Sequence, residues 1–230
     1  MKKDIRQFRY LDIITAIFVA VLIISNIASS KITSFWIFTL DAGTILFPLS
    51  YIFGDVLTEV YGYGRDRRVI WIGFGCTILM AAIFMIVGVL PSAPDWHNQS
   101  AYDAILGLTP RIVLASMIAY FTGEFSNSFV LAKMKIFTKG KFLWTRTIGS
   151  TLIGELFDTL LFIAIAFYGV MPTPVLLSLL FSNYIFKVGV EVLFTPITYG
   201  IVNFLKKKEH EDYYDRKTNF NPFVVETKEN

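Results

Sequence analysis

The chain has 230 residues, of which 54% are hydrophobic and 17% are charged, and its mean hydropathy is +0.57. Soluble domains carry about a quarter charged residues, so this composition excludes an ordinary soluble domain and is typical of a membrane protein. The single cysteine, Cys76, excludes an intrachain disulfide framework. The net charge of +3 is small, so the positions of the basic residues are more informative than their number.

Six apolar runs along the chain are long enough to cross a bilayer. In chain order they cover residues 10–29, 45–62, 69–90, 112–131, 147–170 and 175–205. This pattern predicts an all-α polytopic membrane protein with six transmembrane helices in one domain, residues 1–205. We expect residues 206–230 to form a polar, solvated cytoplasmic tail, residues 30–44 an interfacial or re-entrant piece such as a short hairpin, and residues 91–110 a polar loop.

Basic residues are concentrated at every second connection between these runs. The N-terminus holds four, residues 62–68 three, residues 133–146 five and the start of the tail three, whereas the other connections hold only Lys31 and the boundary residue Arg111. Cytoplasmic loops carry the excess of Lys and Arg in membrane proteins. Six spans therefore place every basic cluster, and both termini, in the cytoplasm.

Six acidic residues lie inside the predicted spans: Asp55, Glu59, Glu124, Glu155, Asp158 and Glu191. Even a low value for the cost of one Asp at the middle of a transmembrane helix is about 3 kcal/mol. The set therefore predicts a polar cavity near the midplane. For each acid alone, an equally good interpretation is pairing with a basic or polar side chain of a neighbouring helix, such as Arg111 or Arg146. Lys187 lies four residues before Glu191, so we expect these two to neutralise each other.

Two of the acids, Asp55 and Glu59, stand four residues apart, so a helix places them on one face, one turn apart. Asp55 falls near the midplane and is the better candidate for the cavity. Glu59 falls one turn closer to the cytoplasm, close in sequence to the arginines of residues 62–68, Arg65 among them. This spacing predicts an ion pair that closes an inner gate.

No catalytic motif accompanies these acids. The two histidines, His97 and His210, form no metal-binding pattern, and the sequence lacks a Ser/His/Asp set, a phosphate-binding glycine-rich loop and a haem ligand pair. We therefore expect neither an enzyme nor a bound metal or cofactor. The basic residues flank the spans, so no nucleic-acid partner is expected either.

Several segments together resemble one family of membrane transporters. The most specific is Gly54-Asp-Val-Leu-Thr-Glu-Val-Tyr-Gly-Tyr63, within Pro48–Trp71. The others, in chain order, are Ser25-Asn-Ile27 with Lys31, Arg111–Tyr120, Gly123–Ser128, Arg146 with Ser150, Gly154–Asp158, Glu191–Pro196 and Asn219-Phe-Asn-Pro-Phe223. They extend over almost the whole chain and are similar to the queuosine precursor transporter family, which is grouped with the vitamin uptake transporters.

This resemblance implies uptake of 7-deazaguanine bases, namely preQ0, preQ1 or queuine, across the bacterial inner membrane. It also implies six helices with a fold similar to the substrate-binding subunits of energy-coupling-factor importers. The implied partners are a small planar purine-like base and the lipid bilayer, and homo-oligomerisation is left open.

The implied substrate gives the buried polar groups a role. A deazaguanine presents N1–H and an exocyclic amine as neighbouring donors, which one carboxylate can accept, and its carbonyl needs a donor such as an amide. The candidates for substrate binding are Asn26, Tyr51, Asp55, Glu124, Asn127, Glu155, Asp158, Asn183 and Glu191. The candidates for gating or helix pairing are Glu59, Arg65, Arg111 and Lys187.

Two alternatives to a self-sufficient carrier stay open. One is a binding subunit that needs a separate ATP-driven energising module, and the other is a non-transporting structural membrane protein whose acids only hold helices together. For a carrier, alternating access is the leading mechanism, and proton coupling through a buried acid is an open option.

Overall fold

The computed structural model describes residues 8–28, 31–35, 38–106, 110–169 and 172–224. Its helices, in order, are α1 (Leu11–Ala28), α2 (Phe47–Tyr61), α3 (Tyr63–Gly88), α4 (Gln99–Leu106), α5 (Pro110–Phe137), α6 (Leu143–Phe167) and α7 (Thr173–Glu209). An antiparallel hairpin of β1 (Ile32–Phe35) and β2 (Phe38–Asp41), followed by a short 3-10 helix (Ala42–Ile45), joins α1 to α2. The chain is therefore helical, as predicted, apart from a hairpin that lies where the sequence predicted one.

Four described helices, α1, α3, α6 and α7, are long and apolar enough to cross a membrane. Helix α2 has 15 residues, or about 22 Å at about 1.5 Å per residue, whereas a bilayer core is about 30 Å thick. Nearly all of its side chains between residues 51 and 61 are buried by protein, so α2 is an interior helix. Helix α5 has 28 residues and also carries buried acidic and amide side chains. Membrane crossing by α2 and α5, and hence the count of six spans, stays a prediction.

A single residue, Gly62, connects α2 to α3. Its φ of +87° lies in the left-handed region that favours glycine, and a Cβ there would lie 2.3 Å from the ring of Tyr213. Most of the predicted basic connection at residues 62–68 is helical and forms the first turns of α3. Asp66 in the first turn suits the positive end of the helix dipole.

The predicted polar loop over residues 91–110 contains a short helix, α4. The side chain of Gln99 donates to the carbonyl of Gly88 at 3.0 Å, and the hydroxyl of Tyr102 donates to the carbonyl of Phe84 at 3.1 Å. These bonds hold α4 against the last turns of α3. The prediction of a loop was therefore incomplete, because eight residues are too few for a clear helical period.

Helices α5 and α6 pack closely because glycines face each other. A Cβ added to Gly123 would lie 2.9 Å from the carbonyl oxygen of Gly154, and the reverse substitution would meet the carbonyl of Gly123 at 2.9 Å. Small residues of this kind let two membrane helices approach backbone to backbone. The contact brings the acids next to each glycine, Glu124 and Glu155, into one region of the bundle.

The chain after α7 packs against the bundle, which corrects the prediction of a solvated tail. The backbone N–H of Tyr213 donates to the carbonyl of Val60 at 3.2 Å. Asp215 is 2% exposed, and its carboxylate accepts the N–H of Tyr63 at the start of α3 at 3.0 Å. The first part of the tail therefore closes over the turn between α2 and α3.

The second part of the tail lies along α3 and α5. Arg67 Nη1 donates to the carbonyls of Asn219 and Asn221 at 2.6 and 2.7 Å, and Trp71 Nε1 donates to the carbonyl of Pro222 at 2.7 Å. The rings of Phe220 and Phe223 also contact aromatic side chains of these helices. This docking could not be predicted from the composition of the tail, because the tail binds through backbone carbonyl groups, which every residue carries.

Candidate functional site

Four helices bring five acidic side chains together inside the bundle. They come from α2, α5, α6 and α7, and each is at most 3% exposed: Asp55, Glu124, Glu155, Asp158 and Glu191. A carboxyl group buried in this way is costly unless it is hydrogen-bonded, paired with a cation, protonated or able to bind a ligand. The partners of each acid therefore decide what it can do.

Glu124 has no hydrogen-bond partner on either carboxylate oxygen among the described residues, and Glu191 shares this feature. Glu124 is fully buried. A Cβ on Gly54 would lie 1.8 Å from its Oε1 atom, so the carboxylate occupies space that only glycine leaves free on α2. Neither oxygen is therefore committed to a hydrogen bond within the described part of the chain.

Asp55 and Asn127 form a hydrogen-bonded pair between α2 and α5. Asn127 Nδ2 donates to Asp55 Oδ1 at 2.8 Å, and both residues are fully buried. Oδ2 of Asp55 and the amide oxygen of Asn127 have no hydrogen-bond partner among the described residues. Glu191 of α7 faces Asp55 across this pair. The group thus offers both a carboxylate and an amide oxygen close to Glu124.

Lys187 pairs with α6, not with Glu191 as the sequence predicted. Its Nζ donates to Asp158 Oδ2 and lies 3.2 Å from Glu155 Oε2. The i,i+4 spacing with Glu191 permitted a pair within the helix, but two carboxylates on the facing helix attract the ammonium group more strongly than one. Lys187 therefore neutralises part of the acid group and leaves Glu191 without a basic partner among the described residues.

Tyr51 lies over the crossing of α5 and α6. A Cβ on Gly123 would lie 2.2 Å from its hydroxyl oxygen, and one on Gly154 would lie 3.1 Å from its Cε1. Its ring meets that of Tyr120 edge to face, with centroids 6.0 Å apart. Tyr51 thus forms an aromatic wall beside the acids, and its role in substrate binding stays a prediction.

A pocket lies next to this wall, between α1, α3 and α5. It is small, with free space of about 10 Å³, close to that of one water molecule, and Asn26, Thr77 and Tyr120 are among its lining residues. Tyr120 is one helical turn before Glu124, so the pocket leads towards the acids. The amide of Asn26 donates to the carbonyl of Leu22 in its own helix, which leaves its amide oxygen as the group to offer a ligand.

Asn183 is the candidate that the structure does not connect to the acids. Its Nδ2 donates to the carbonyl of Leu179, one turn earlier in α7, at 2.9 Å. Arg111 lies in α5, but its side chain is outside the described residues. The structure therefore supports a site around Glu124, Asp55 and Asn127 more directly than one that includes Asn183.

Glu59 is the centre of an ion-pair network at one end of the bundle. Its Oε1 atom lies 2.7 Å from Arg146, 2.6 Å from Lys206 and 3.6 Å from Lys135. Asp212 of the tail bridges the two lysines at 2.7 and 2.8 Å. The network joins α2, α5, α6, α7 and the tail.

The predicted partners of Glu59 were therefore wrong. Arg65 donates to the carbonyl of Tyr61 and lies over the rings of Phe8 and Tyr213, and Arg67 binds the tail. These arginines belong to α3, which turns back at Gly62, so they point away from Glu59. Basic residues from distant parts of the chain take their place.

Sequence reasoning also missed a second polar centre, Asp66. It is fully buried, and its Oδ2 atom accepts hydrogen bonds from Thr58 of α2, at 2.8 Å, and from Ser128 of α5. The neighbouring arginines indicated a solvated segment, and no local pattern distinguishes a buried Asp there from an exposed one. Its place in the resemblance motif Pro48–Trp71 was the signal that could have identified it.

Comparisons with known proteins agree on one family. Residues 41–201 match the family model of a putative vitamin uptake transporter. The chain belongs to this family of membrane transporters. The probable queuosine precursor transporter of Bacillus subtilis (strain 168) is 31% identical over 80% of this chain and 81% of the relative. The queuosine precursor transporter of Escherichia coli (strain K12) is 26% identical over 72% of this chain and 74% of the relative. A probable queuosine precursor transporter of Haemophilus influenzae is 23% identical over 70% of this chain and 67% of the relative.

The family suggested by the sequence segments is thus confirmed. No solved structure gives a significant match to the chain. The predicted likeness to the substrate-binding subunits of energy-coupling-factor importers therefore stays a prediction, as do the roles of the individual site residues in this transporter.

Proposed function

We propose that this chain imports queuosine precursors, which are 7-deazaguanine bases, across the bacterial inner membrane as a self-sufficient carrier. Membership of a transporter family and the names of three relatives support the substrate class. The buried acid group of α2, α5, α6 and α7 supports a binding site within the bundle.

One observation carries this proposal, namely the fully buried carboxylate of Glu124 beside the side chains of Tyr51 and Tyr120. Buried polar groups in proteins are nearly always hydrogen-bonded, so two bare oxygens on a fully buried carboxylate indicate a group kept for a ligand. The N1–H and exocyclic amine of a deazaguanine are parallel donors at the spacing of two carboxylate oxygens, and charge-assisted pairs of this type are the strong ones.

The surroundings of Glu124 fit the remainder of such a base. Tyr51 and Tyr120 provide aromatic walls for a flat ring, and a small pocket lies beside Tyr120, one helical turn from Glu124. The unpartnered oxygens of Asp55 and Asn127 lie close by. A cationic aminomethyl group, as in preQ1, would be attracted to these acids.

The proposal includes six spans with both termini in the cytoplasm and Glu59 in an inner gate. The start of α1 and the ends of α2 and α7 meet at one face, because Glu209 accepts the N–H groups of Arg9 and Tyr10 and the hydroxyl of Tyr61. Lys135 and Arg146 are at the same face through Glu59. A face that carries so many basic residues fits the cytoplasmic side.

The test uses cells that lack both precursor synthesis and their own transporter, supplied with one base at a time. We expect queuosine to return to tRNA with the wild-type gene and to be lost with Glu124→Gln at unchanged membrane abundance. Asp95→Asn, a change at an exposed acid outside the bundle, is the matched control. Wild-type restoration by Glu124→Gln would contradict the assigned site, and failure of every base with the wild-type gene would contradict the function.

A second experiment separates the proposal from its two alternatives. Purified protein in liposomes, with no other protein present, should take up the base that restores queuosine. A binding subunit that depends on an ATP-driven module would bind the base but not transport it, and a purely structural membrane protein would do neither.

A further inference from the structure

We propose that Asp66 carries a coupling proton, so that uptake is driven by inward proton movement along a row of four carboxyl groups: Glu191, Asp55, Asp66 and Asp215. This inference rests on the proposed transport function, because it concerns the source of its energy. None of the sequence segments or relatives assigns a role to Asp66.

The buried acids fall into two classes by their partners. Glu59, Glu155 and Asp158 each form an ion pair with a basic side chain, as does Asp212 in the tail. Glu209 accepts hydrogen bonds at one end of the bundle. In the described part of the chain, the other buried acids form no ion pair: Asp55, Asp66, Glu124, Glu191 and Asp215. A carboxyl group enclosed by protein without a cation can be kept there by a proton instead. Glu124 belongs to the proposed substrate site, and the remaining four are neighbours in pairs: Glu191 and Asp55, Asp55 and Asp66, and Asp66 and Asp215.

Asp66 has the geometry of a proton-binding group in this row. One oxygen, Oδ2, accepts hydroxyl hydrogen bonds from Thr58 and Ser128, which fixes the carboxyl group between α2, α3 and α5. The other oxygen, Oδ1, is buried and has no hydrogen-bond partner among the described residues. A proton can therefore bind Oδ1 without breaking an existing contact.

The row continues on both sides of Asp66. Thr58 is on the same face of α2 as Asp55, one turn away, and Asp55 faces Glu191 of α7. On the other side, Asp215 binds the N–H of Tyr63, one turn before Asp66 in α3. Asp215 is 2% exposed and belongs to the tail that covers the same end as the Glu59 network. The row thus runs from the acid group to the proposed cytoplasmic end.

The other charges near Asp66 leave it without a fixed counter-ion. The ionisable groups that face it are Asp55 from α2, Tyr120 and Glu124 from α5, Asp215 from the tail, and Tyr63 and Arg67 from its own helix. Arg67 is the one cation among them, and its Nη1 donates to the tail carbonyls of Asn219 and Asn221. A proton on Asp66 therefore changes the net charge of the row.

The proposed step is a simple proton transfer. An O–H bond forms at Asp55 or Glu191 when a proton enters with the base, and that bond breaks as the proton passes to Oδ1 of Asp66. It then passes to Asp215 and leaves to water at the cytoplasmic face. One proton enters and one leaves, and no electron is transferred.

The experiment uses the full-length protein in liposomes with labelled preQ0, which lacks the basic aminomethyl group of preQ1 and so is not accumulated by a pH gradient alone. A difference of one pH unit, acidic outside, should give up to about tenfold accumulation in the wild type if one proton enters per base. We expect Asp66→Asn to lose this accumulation but to retain exchange of labelled for unlabelled base, which needs no net proton movement. Asp12→Asn, an exposed acid of α1, should behave as the wild type.

Three outcomes would overturn the inference. Asp66→Asn could retain pH-driven accumulation, it could lose exchange together with accumulation at normal abundance, or wild-type uptake could follow a sodium gradient and ignore pH. A pH-sensitive dye trapped in the liposomes gives a measurement that needs no variant. Uptake by the wild type should acidify the lumen, and a constant lumenal pH during uptake would contradict coupling. Loss of wild-type exchange would instead contradict the proposed transport function itself.

Discussion

A Cβ atom on Gly54 would lie 1.8 Å from Oε1 of Glu124, so the two residues occupy adjoining space between α2 and α5. This contact predicts that Gly54→Ala pushes the carboxylate out of place without removing it. We expect uptake to fall about as far as in Glu124→Gln, because a misplaced carboxylate cannot bind two donors at once.

The matched control for this substitution is Gly75→Ala in α3, where an added Cβ meets nothing within 4 Å. Uptake of labelled base, corrected for membrane abundance, is the measurement for both variants. Wild-type uptake by Gly54→Ala would show that Glu124 can move freely and would weaken its assignment as the fixed binding group.

Lys187 is predicted to stabilise the bundle rather than only the substrate site. Replacing it by Met leaves Glu155 and Asp158 buried without their cation, and breaking a buried ion pair in this way costs about 3–5 kcal/mol. Lys187→Met should therefore lower the thermal unfolding midpoint in detergent. Adding Asp158→Asn to Lys187→Met should recover part of the loss, because one uncompensated charge is removed.

Lys139→Met is the control for this prediction, since Lys139 is an exposed lysine outside the bundle. An equal fall in both single variants, or no recovery in the double variant, would contradict the view that Lys187 acts by neutralising the α6 carboxylates.

The sequence was sufficient for features that depend on local patterns. Long apolar runs predicted α1, α3, α6 and α7. Pairing between distant residues was harder to predict. The spacing of Lys187 and Glu191 was correct for an ion pair within one helix, but local spacing cannot show that α6 presents two carboxylates to the same lysine.

The same limitation explains the errors at the end of the bundle that carries Glu59. The arginines after Gly62 were its nearest basic residues in sequence, yet the turn at Gly62 carries them into α3 and away from Glu59. Lys206 replaces them from a position 147 residues away. The docking of the tail could not be predicted from the sequence for a related reason. Arg67 binds backbone carbonyl groups, which every residue carries.

The two acids of the docked tail have opposite pKa shifts. Burial raises the pKa of Asp215 above its ordinary value of 3.8, against the hydrogen bond from Thr218. Burial also acts on Asp212, but hydrogen bonds from Lys135 and Lys206 outweigh it and lower the pKa of this carboxyl group. Docking of the tail should therefore depend on pH through both groups, in opposite senses.

The signs follow from proton binding in the docked and released states. Between its ordinary pKa and its raised pKa, Asp215 binds more protons when docked, so its contribution to docking falls as pH rises through this range. Asp212 contributes to docking above its ordinary pKa, and that contribution is lost as pH falls through its lowered pKa.

We expect Asp215→Asn to keep the tail docked, because Asn still accepts the N–H of Tyr63. The variant should also remove the weakening of docking at higher pH, because Asn does not titrate. Asp212→Asn should loosen the tail at neutral pH. Proteolysis of the tail in inside-out vesicles, from about pH 4.5 to 8, measures both, with Lys217→Gln at an exposed tail residue as the control. A tail that is cut equally fast at every pH in the wild type would contradict this prediction.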